Sequence, residues 1–389
     1  MRKLNIKFSK RQIKLGCSGI ISLLISLLLC AMCRGMLQGQ EHQQMAKRWS
    51  KNGGVSQISC FFSPSAGMTS DSILQFEHNL DKALLEESIT VESSNPSARL
   101  WADAYSASGK VTIESDKGSI SVNAIGVGGD FFLFHPPKLI YGSYFSGHDL
   151  MSDHIIIDED AAWQLFGSNN VDGKIVYIGN IPHIISGVIK REDSRMADNA
   201  GLNSSVAYVS YDTLQKYGNN FGINSYEIVM PNPVKGYAKK YVSENIGVTE
   251  NDVEVVENTT RFQFLNLWKI LMRFGSRSMN SKAIIYPYWE NMARGYEDYA
   301  ALYLVFILLF FTYPVILLLI ALIYYWKHKR WTLSSVYRFL IDKKDDMYYK
   351  IYRKIKNRKE NQVPKLKKAE LEILDLEEEN NEKDDEEGN

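Results

Sequence analysis

Cysteine is scarce in this chain, and scarcest where a disulfide would matter most. Of its four cysteines, Cys17, Cys30 and Cys33 lie in or beside an apolar run near the start, which leaves Cys60 alone in the long polar-surfaced stretch that follows. That stretch can form no internal disulfide and must be stable through its own core. Net charge is absent as well. The 45 basic residues balance 45 acidic ones, so no global attraction to nucleic acid is expected. Motifs for covalent chemistry are also missing: there is no Gly-x-Ser-x-Gly elbow and no His-Glu-x-x-His pair. The nearest approach to a phosphate loop, Gly167 to Ile175, has one intervening residue too many and Ile175 where a hydroxyl should hold Mg²⁺. It also follows a helical pattern and precedes a strand, the reverse of the required order. Gly126-Val-Gly128-Gly129 fails the dinucleotide pattern, since no helix pattern follows it. His148, Asp149, Asp153 and His154 are metal-capable, but no second cluster stands at ligand spacing, so they read as a solvated polar turn. His135, before Pro136-Pro137, reads as a turn residue. No catalytic, cofactor-binding or metal residue is assigned, and an ectoenzyme is the least favoured class.

Long hydrophobic runs, by contrast, are present twice. Residues 16–33 and 301–325 are each long enough to cross the roughly 30 Å hydrocarbon core as a helix. Arg2, Lys3, Lys7, Lys10, Arg11 and Lys14 precede the first run, and Lys327, Lys329 and Arg330 follow the second. Basic flanks stay in the cytoplasm, so residues 1–15 and the tail 326–389 are expected inside and residues 34–298 outside. No good small-x-small site follows the first run, which favours an uncleaved anchor. Cleavage would leave one crossing and the same outer domain. Pro314 interrupts the second run and is a candidate hinge, with a packing kink as the plainer reading. The aromatic cluster at 286–291 suits the headgroup level. The tail is basic to Lys368 and acidic from Glu370. Its basic part can lie on membrane lipid at about 1 kcal/mol per residue, and its acidic end is expected to stay solvated.

The outer region reads as α+β. Gln38–Trp49 can extend the first helix as a stalk, and Val55–Phe62 is a strand. Asp71 caps a helix whose Ile73, Phe76, Leu80 and Leu84 recur at helical spacing. Arg99–Ser106 and Lys110–Glu114 read as strands joined by a turn at Ala107–Gly109, and Ser119–Val127 as another strand. Strand His154–Asp158 leads to a helix, Glu159–Phe166, that stops at Gly167, with Leu165 and Phe166 expected in the core. A hairpin spans Lys174–Ile189, and Arg191–Ser204 reads as a polar loop. Strand–helix–strand patterns return between Ser205 and Val256. Phe262 to Phe274 is amphipathic and fits a descending stalk or a helix lying on the membrane.

Residues 121–190 carry an ordered set of short features: Asp130-Phe131-Phe132, Leu139-x-x-Gly142-x-x-Phe145, Asp149, Leu165-Phe166-Gly167, Val171-Asp172-Gly173-Lys174 and Gly187-Val188. Together they resemble the periplasmic core domain of MacB-type ABC transporter permeases, over about residues 40–260. The resemblance implies a porter-like α+β domain, built from residues near 50–120 and 205–260, with a β-rich lobe inserted at about 121–204. It marks Asp130, Phe131, Gly142, Leu165, Phe166, Gly167, Gly173 and Gly187 as structural signature positions. Such permeases usually have three crossings after the outer domain, and here one follows. The implied function is a non-catalytic subunit of a bacterial membrane that couples its outer domain to a partner ABC ATPase or permease subunit, in export or mechanotransmission. The alternative is a membrane-anchored binding or scaffold protein with no linked ATPase.

Overall fold

The computed structural model describes residues 9–90, 98–149, 151–192, 194–220, 222–277, 282–328, 337–338, 341–354 and 356. Ser9 opens α1 (Lys10–Gln38) through a reciprocal capping box with Gln12. The helix does not run on to Trp49 as its composition allows. It stops at Gly39, and a 3₁₀ turn (Glu41–Gln43) and α2 (Met45–Trp49) follow. Gln44 explains the break: its side-chain amide donates to the Leu37 and Gln38 carbonyls, both at 3.0 Å, and satisfies the helix end. The first stalk is therefore jointed, and the joint carries His42.

The chain continues through β1 (Val55–Phe62), α3 (Ser70–Glu86), β2 (Ala102–Ser115), β3 (Gly118–Gly129), α4 (Phe131–Phe134), β4 (Leu139–Gly142), β5 (His154–Asp158), α5 (Glu159–Phe166), β6 (Ile175–Ile178) and β7 (Ile181–Ile189). Next come α6 (Arg195–Ala200), β8 (Val206–Ser210), α7 (Tyr211–Tyr217), β9 (Asn219–Asn220), β10 (Ser225–Pro231), α8 (Tyr237–Asn245), β11 (Val253–Glu257), α9 (Phe264–Met272), α10 (Phe274–Arg277) and α11 (Tyr288–Lys327). Three expectations need correction. The cap of α3 is Thr69, whose hydroxyl accepts from Ser72 N at 3.2 Å, while Asp71 sits inside the first turn where its charge suits the helix dipole. No turn breaks β2. Gly109 is there because β9 passes close: a Cβ would lie 2.5 Å from the Asn219 carbonyl oxygen. The polar loop after Arg191 contains α6, capped by Ser194.

Eleven strands form one mixed sheet in the order β11-β1-β10-β2-β3-β8-β5-β7-β4, with β6 on β2 and β7 and β9 on β2. Strand alternation sorts its side chains onto two faces. Ile58, Cys60 and Phe62 of β1, with Tyr226 and Ile228 of β10, meet Ile73, Phe76, Leu80 and Leu84 of α3 in the larger core. Cys60 is fully buried there, and burial raises its thiol pKa. The opposite face carries Ala102, Ala104 and Val229 and is closed by Met45 of α2, Phe131 and Phe134 of α4, and Trp289 of α11. Gln57 and Ser59 of β1 and Glu227 of β10 also point to that face, and a polar network is built on them.

Helices α1 and α11 are both long and apolar enough to cross a membrane. They flank the mixed sheet, as expected for a two-pass membrane protein with an extracytoplasmic α+β domain. The chain divides into two units, Met1–Pro314 and Val315–Asn389. The second holds the end of α11 and a helical run at 341–354 with exposed side chains. Most of the charged tail lies outside the described residues.

Candidate functional site

Two stalks meet the same sheet face: the jointed segment after α1, through Met45 of α2, and the start of α11, which forms the second stalk, through Trp289. Ser59 and Glu227 are register partners on β1 and β10, so their side chains share the face opposite α3. Glu227 is 3 % exposed. Its carboxylate accepts short hydrogen bonds from the Ser59 hydroxyl and from His135 Nε2. His135 is 1 % exposed, so it is a core residue rather than the turn residue its Pro-Pro neighbours imply. Its ring packs at a tilt against Trp289 (centroids 4.2 Å apart), and its Nδ1 meets His42 Nδ1 at 3.0 Å. Gln57 adds a second tie to the first stalk. It accepts from Met45 N at 2.9 Å and donates to the His42 carbonyl at 2.7 Å. Arg48 donates to the Leu133 and Phe134 carbonyls at 2.6 and 3.2 Å, fixing α2 to α4.

From Ser59 the network continues toward the second stalk. Asn258 donates to the Ser59 hydroxyl at 2.7 Å and accepts from Arg261 Nη1 at 3.2 Å. Arg261 then forks onto both oxygens of Glu290, at 2.6 and 2.8 Å, and donates from Nε to Glu297 at 2.5 Å. Arg294 joins Glu290 to Glu254, both at 2.8 Å, and Glu254 accepts from the Tyr286 hydroxyl. Glu290 and Glu297 lie on one face of α11, about two turns apart, so both can face the single guanidinium. Burial alone would raise the Glu290 carboxyl, but Arg261 and Arg294 hold it below its ordinary value. Burial would likewise lower Arg261, and the two carboxylates more than reverse that. Glu290 and Arg261 each hold the other's charged form inside the protein, where loss of one partner costs far more than the pair contributes net.

Trp289 corrects the headgroup reading of residues 286–291. It is 1 % exposed and packs on Phe131 and His135 beneath the sheet. Among the described residues its indole N–H has no hydrogen-bond partner.

The contact between two ring nitrogens needs one proton between them. His42 is half-buried, packed on His135 and Tyr288. Burial, then His135 and Arg48, lower its pKa well below the ordinary value. Unfolded His42 titrates near 6.5. Between its folded and unfolded pKa values the unfolded chain binds the extra proton, so stability rises with pH in that window. The His42 contribution is complete above about pH 6.5 and falls below it by at most about 1.4 kcal/mol per pH unit. We expect His42→Asn to flatten this slope in denaturation series between pH 7 and pH 5. An unchanged slope would assign the acid sensitivity elsewhere.

The two crossings are joined directly. Pro314 has no N–H, which leaves the carbonyl four residues earlier, that of Phe310, without its helical partner. Ser22 of α1 donates to that carbonyl at 2.7 Å. Ser18 meets the Tyr313 hydroxyl at 2.9 Å, and Ser26 donates to the Ile307 carbonyl at 3.3 Å, so one α1 stripe runs along α11. Pro314→Ala should return a helical donor to Phe310. The cost of Ser22→Ala should therefore fall in the Pro314→Ala background, by about 0.5–1.5 kcal/mol of coupling. A detergent-titration cycle with strictly additive costs would remove the clamp.

The signature residues lie in the sheet region away from this network, Asp130 and Phe131 excepted. Asp130 precedes α4, donates its N–H to the Asp103 carbonyl at 2.8 Å and pairs with Arg99 at 2.6 Å. Phe131 is buried under Trp289. Gly142 and Gly187 are register partners on β4 and β7. A Cβ at Gly142, whose φ is +76°, would lie 2.1 Å from the Ser186 carbonyl oxygen, so only glycine fits. Leu165 is buried, whereas Phe166 is only half-buried, under Lys174. Gly167 closes α5 in the left-handed region, and Gly173 donates to the Ile185 carbonyl at 2.7 Å. Among the described residues no three His, Cys, Asp or Glu side chains gather as a metal site. His154 lies 3.9 Å from Asp153.

Comparison with known proteins agrees with the sheet region. The model of the MacB-like periplasmic core domain matches residues 20–249. Among curated relatives, the macrolide export ATP-binding/permease protein MacB of Agrobacterium fabrum is 30% identical over 107 residues, which cover 27% of this chain and 16% of that protein. The protein of the same description from Burkholderia thailandensis is 34% identical over 97 residues, 24% and 15% of the two lengths. The match thus spans under a fifth of either relative. Among solved structures, the periplasmic region of MacB from Actinobacillus actinomycetemcomitans aligns at a TM-score of 0.36 with 16% identity, covering 60% of this chain and 97% of that one. The extracellular domain of the noncanonic ABC-type transporter YknZ aligns at 0.34 with 20% identity, covering 51% and 99%. With its core domain matched over more than half its length, this chain belongs to the MacB-like periplasmic core domain family.

Proposed function

We propose that this chain is a non-catalytic membrane subunit that couples movement of its outer domain to a partner ABC-type ATPase or permease, in export or mechanotransmission. One observation carries the proposal. The end of the first stalk, through His42, and the start of the second, through Glu290 and Glu297, join one continuous buried network on one sheet face. A displacement of either stalk must move Glu227 or break a desolvated hydrogen bond. In this reading residues 34–298 are the responding part, with the lobe at about 121–204 inserted in a porter-like frame. The Ser22–Phe310 clamp makes the two crossings move as a pair, and Pro314 is their hinge. The curated relatives named above carry an ATP-binding part in their description.

The test is affinity purification of the full chain in mild detergent, followed by mass spectrometry. The proposal expects an ATPase with complete phosphate-loop motifs, and nucleotide dependence only in its presence. A complete native complex without ATPase or permease subunits would replace this reading with a membrane-anchored scaffold.

A further inference from the structure

Where the first stalk leaves the membrane, α1, α2, α9 and α11 enclose a cavity of about 460 Å³. Its floor is apolar: Cys33, Leu37, Phe262, Leu267 and Leu304 line it. Its charged lining residues are Arg34 and Lys47, with no carboxylate. Both cations are exposed and make no ion pair among the described residues. Two neighbouring surfaces fix its level. At its level on the other faces of α11, Leu302, Val305, Phe306 and Leu309 are exposed and apolar, as lipid-facing residues are. Beside it, α9 exposes Phe264, Leu265, Trp268 and Met272, the pattern of a helix seated in the headgroup layer.

An apolar floor opening at acyl-chain depth, under two cations with no ion pair and no lining anion among the described residues, is complementary to one kind of molecule. We propose that this cavity binds an anionic phospholipid of the outer leaflet, with an acyl chain along Leu267 and Leu304 and its phosphate between Arg34 and Lys47. A zwitterionic lipid fits the floor but forgoes the charge match. A helix of a second copy would cover the floor and leave both cations unmatched.

The test uses the full chain in nanodiscs of phosphatidylcholine with a minor fraction of phosphatidylglycerol. Retained lipid is counted by native mass spectrometry after partial delipidation. Wild type should retain phosphatidylglycerol in preference to phosphatidylcholine. Arg34→Gln with Lys47→Gln should lower that retention about 30-fold, the loss of two near-surface cations. Lys269→Gln, on α9 outside the cavity, should leave it unchanged. Equal retention of both lipids, or full retention by the double variant, would overturn the proposal. A photoactivatable phosphatidylglycerol on wild type gives a reading independent of variant folding. Its cross-links should fall within 30–47 and 258–267. Cross-links confined to other segments, or cavity residues cross-linked instead to a second copy, would overturn it equally.

Discussion

Arg261→Met is expected to destabilise the full chain in detergent by about 3–5 kcal/mol, the cost of removing one member of a buried ionic cluster. The side chain is 3 % exposed, and that of Glu290 beside it 2 %. Replacing the guanidinium leaves Glu290 to Arg294 and takes the Nε bond from Glu297. The origin of the loss is checked by removing the carboxylates too. Arg261→Met with Glu290→Leu and Glu297→Leu should regain most of the stability, because a well-packed apolar set needs no compensating charge. Urea denaturation followed by near-ultraviolet circular dichroism reads both. A single variant within 1 kcal/mol of wild type, on the scale of an exposed pair, would mean that the cluster is solvated.

Trp289→Ala should cost a similar amount, about 3–5 kcal/mol, for a different reason: a large apolar side chain is lost and the cavity does not fully collapse. The void would open beneath Phe131 and His135, so the His135–Glu227 contact should loosen with it. Trp289→Phe should cost much less. It keeps a ring against His135 and removes an indole N–H that has no partner among the described residues. Equal costs for the two variants would show that the indole N–H, rather than ring volume, anchors the second stalk.

Much of the fold was legible because it rests on local patterns. The helical spacing of Ile73, Phe76, Leu80 and Leu84 is the buried stripe of α3, and Gly167 closes α5 as its position implies. Local patterns misled where a distant partner decides. Gly109 reads as a turn residue, yet it lies within β2 to admit β9. The run from Gln38 to Trp49 suits a helix, but Gln44 turns back on the preceding carbonyls. The network was largely hidden. Its members are scattered from His42 through Ser59, His135 and Glu227 to Asn258, Arg261, Glu290 and Glu297, and no spacing rule joins residues brought together by sheet register and two stalks. A faint signal existed: Gln57, Ser59 and Glu227 stand in strands rich in apolar residues, and such polar residues are seldom left without partners in a sheet interior. The ionic residues Glu290, Arg294 and Glu297, just before the second crossing, were a second unread hint.

The central claim is that the stalks and the sheet form one connected body, and hydrogen exchange of the full chain in nanodiscs tests it most directly. Arg261→Met perturbs the network on its second-stalk side. Leu80→Ala, on the opposite sheet face, serves as a control of similar global cost. The account predicts that Arg261→Met, beyond the control, speeds exchange at β1 and β10 around Ser59 and Glu227 and at residues 41–49 around His42. Faster exchange confined to α9 and the first turns of α11 would contradict it, because the disturbance would then stop at the second stalk.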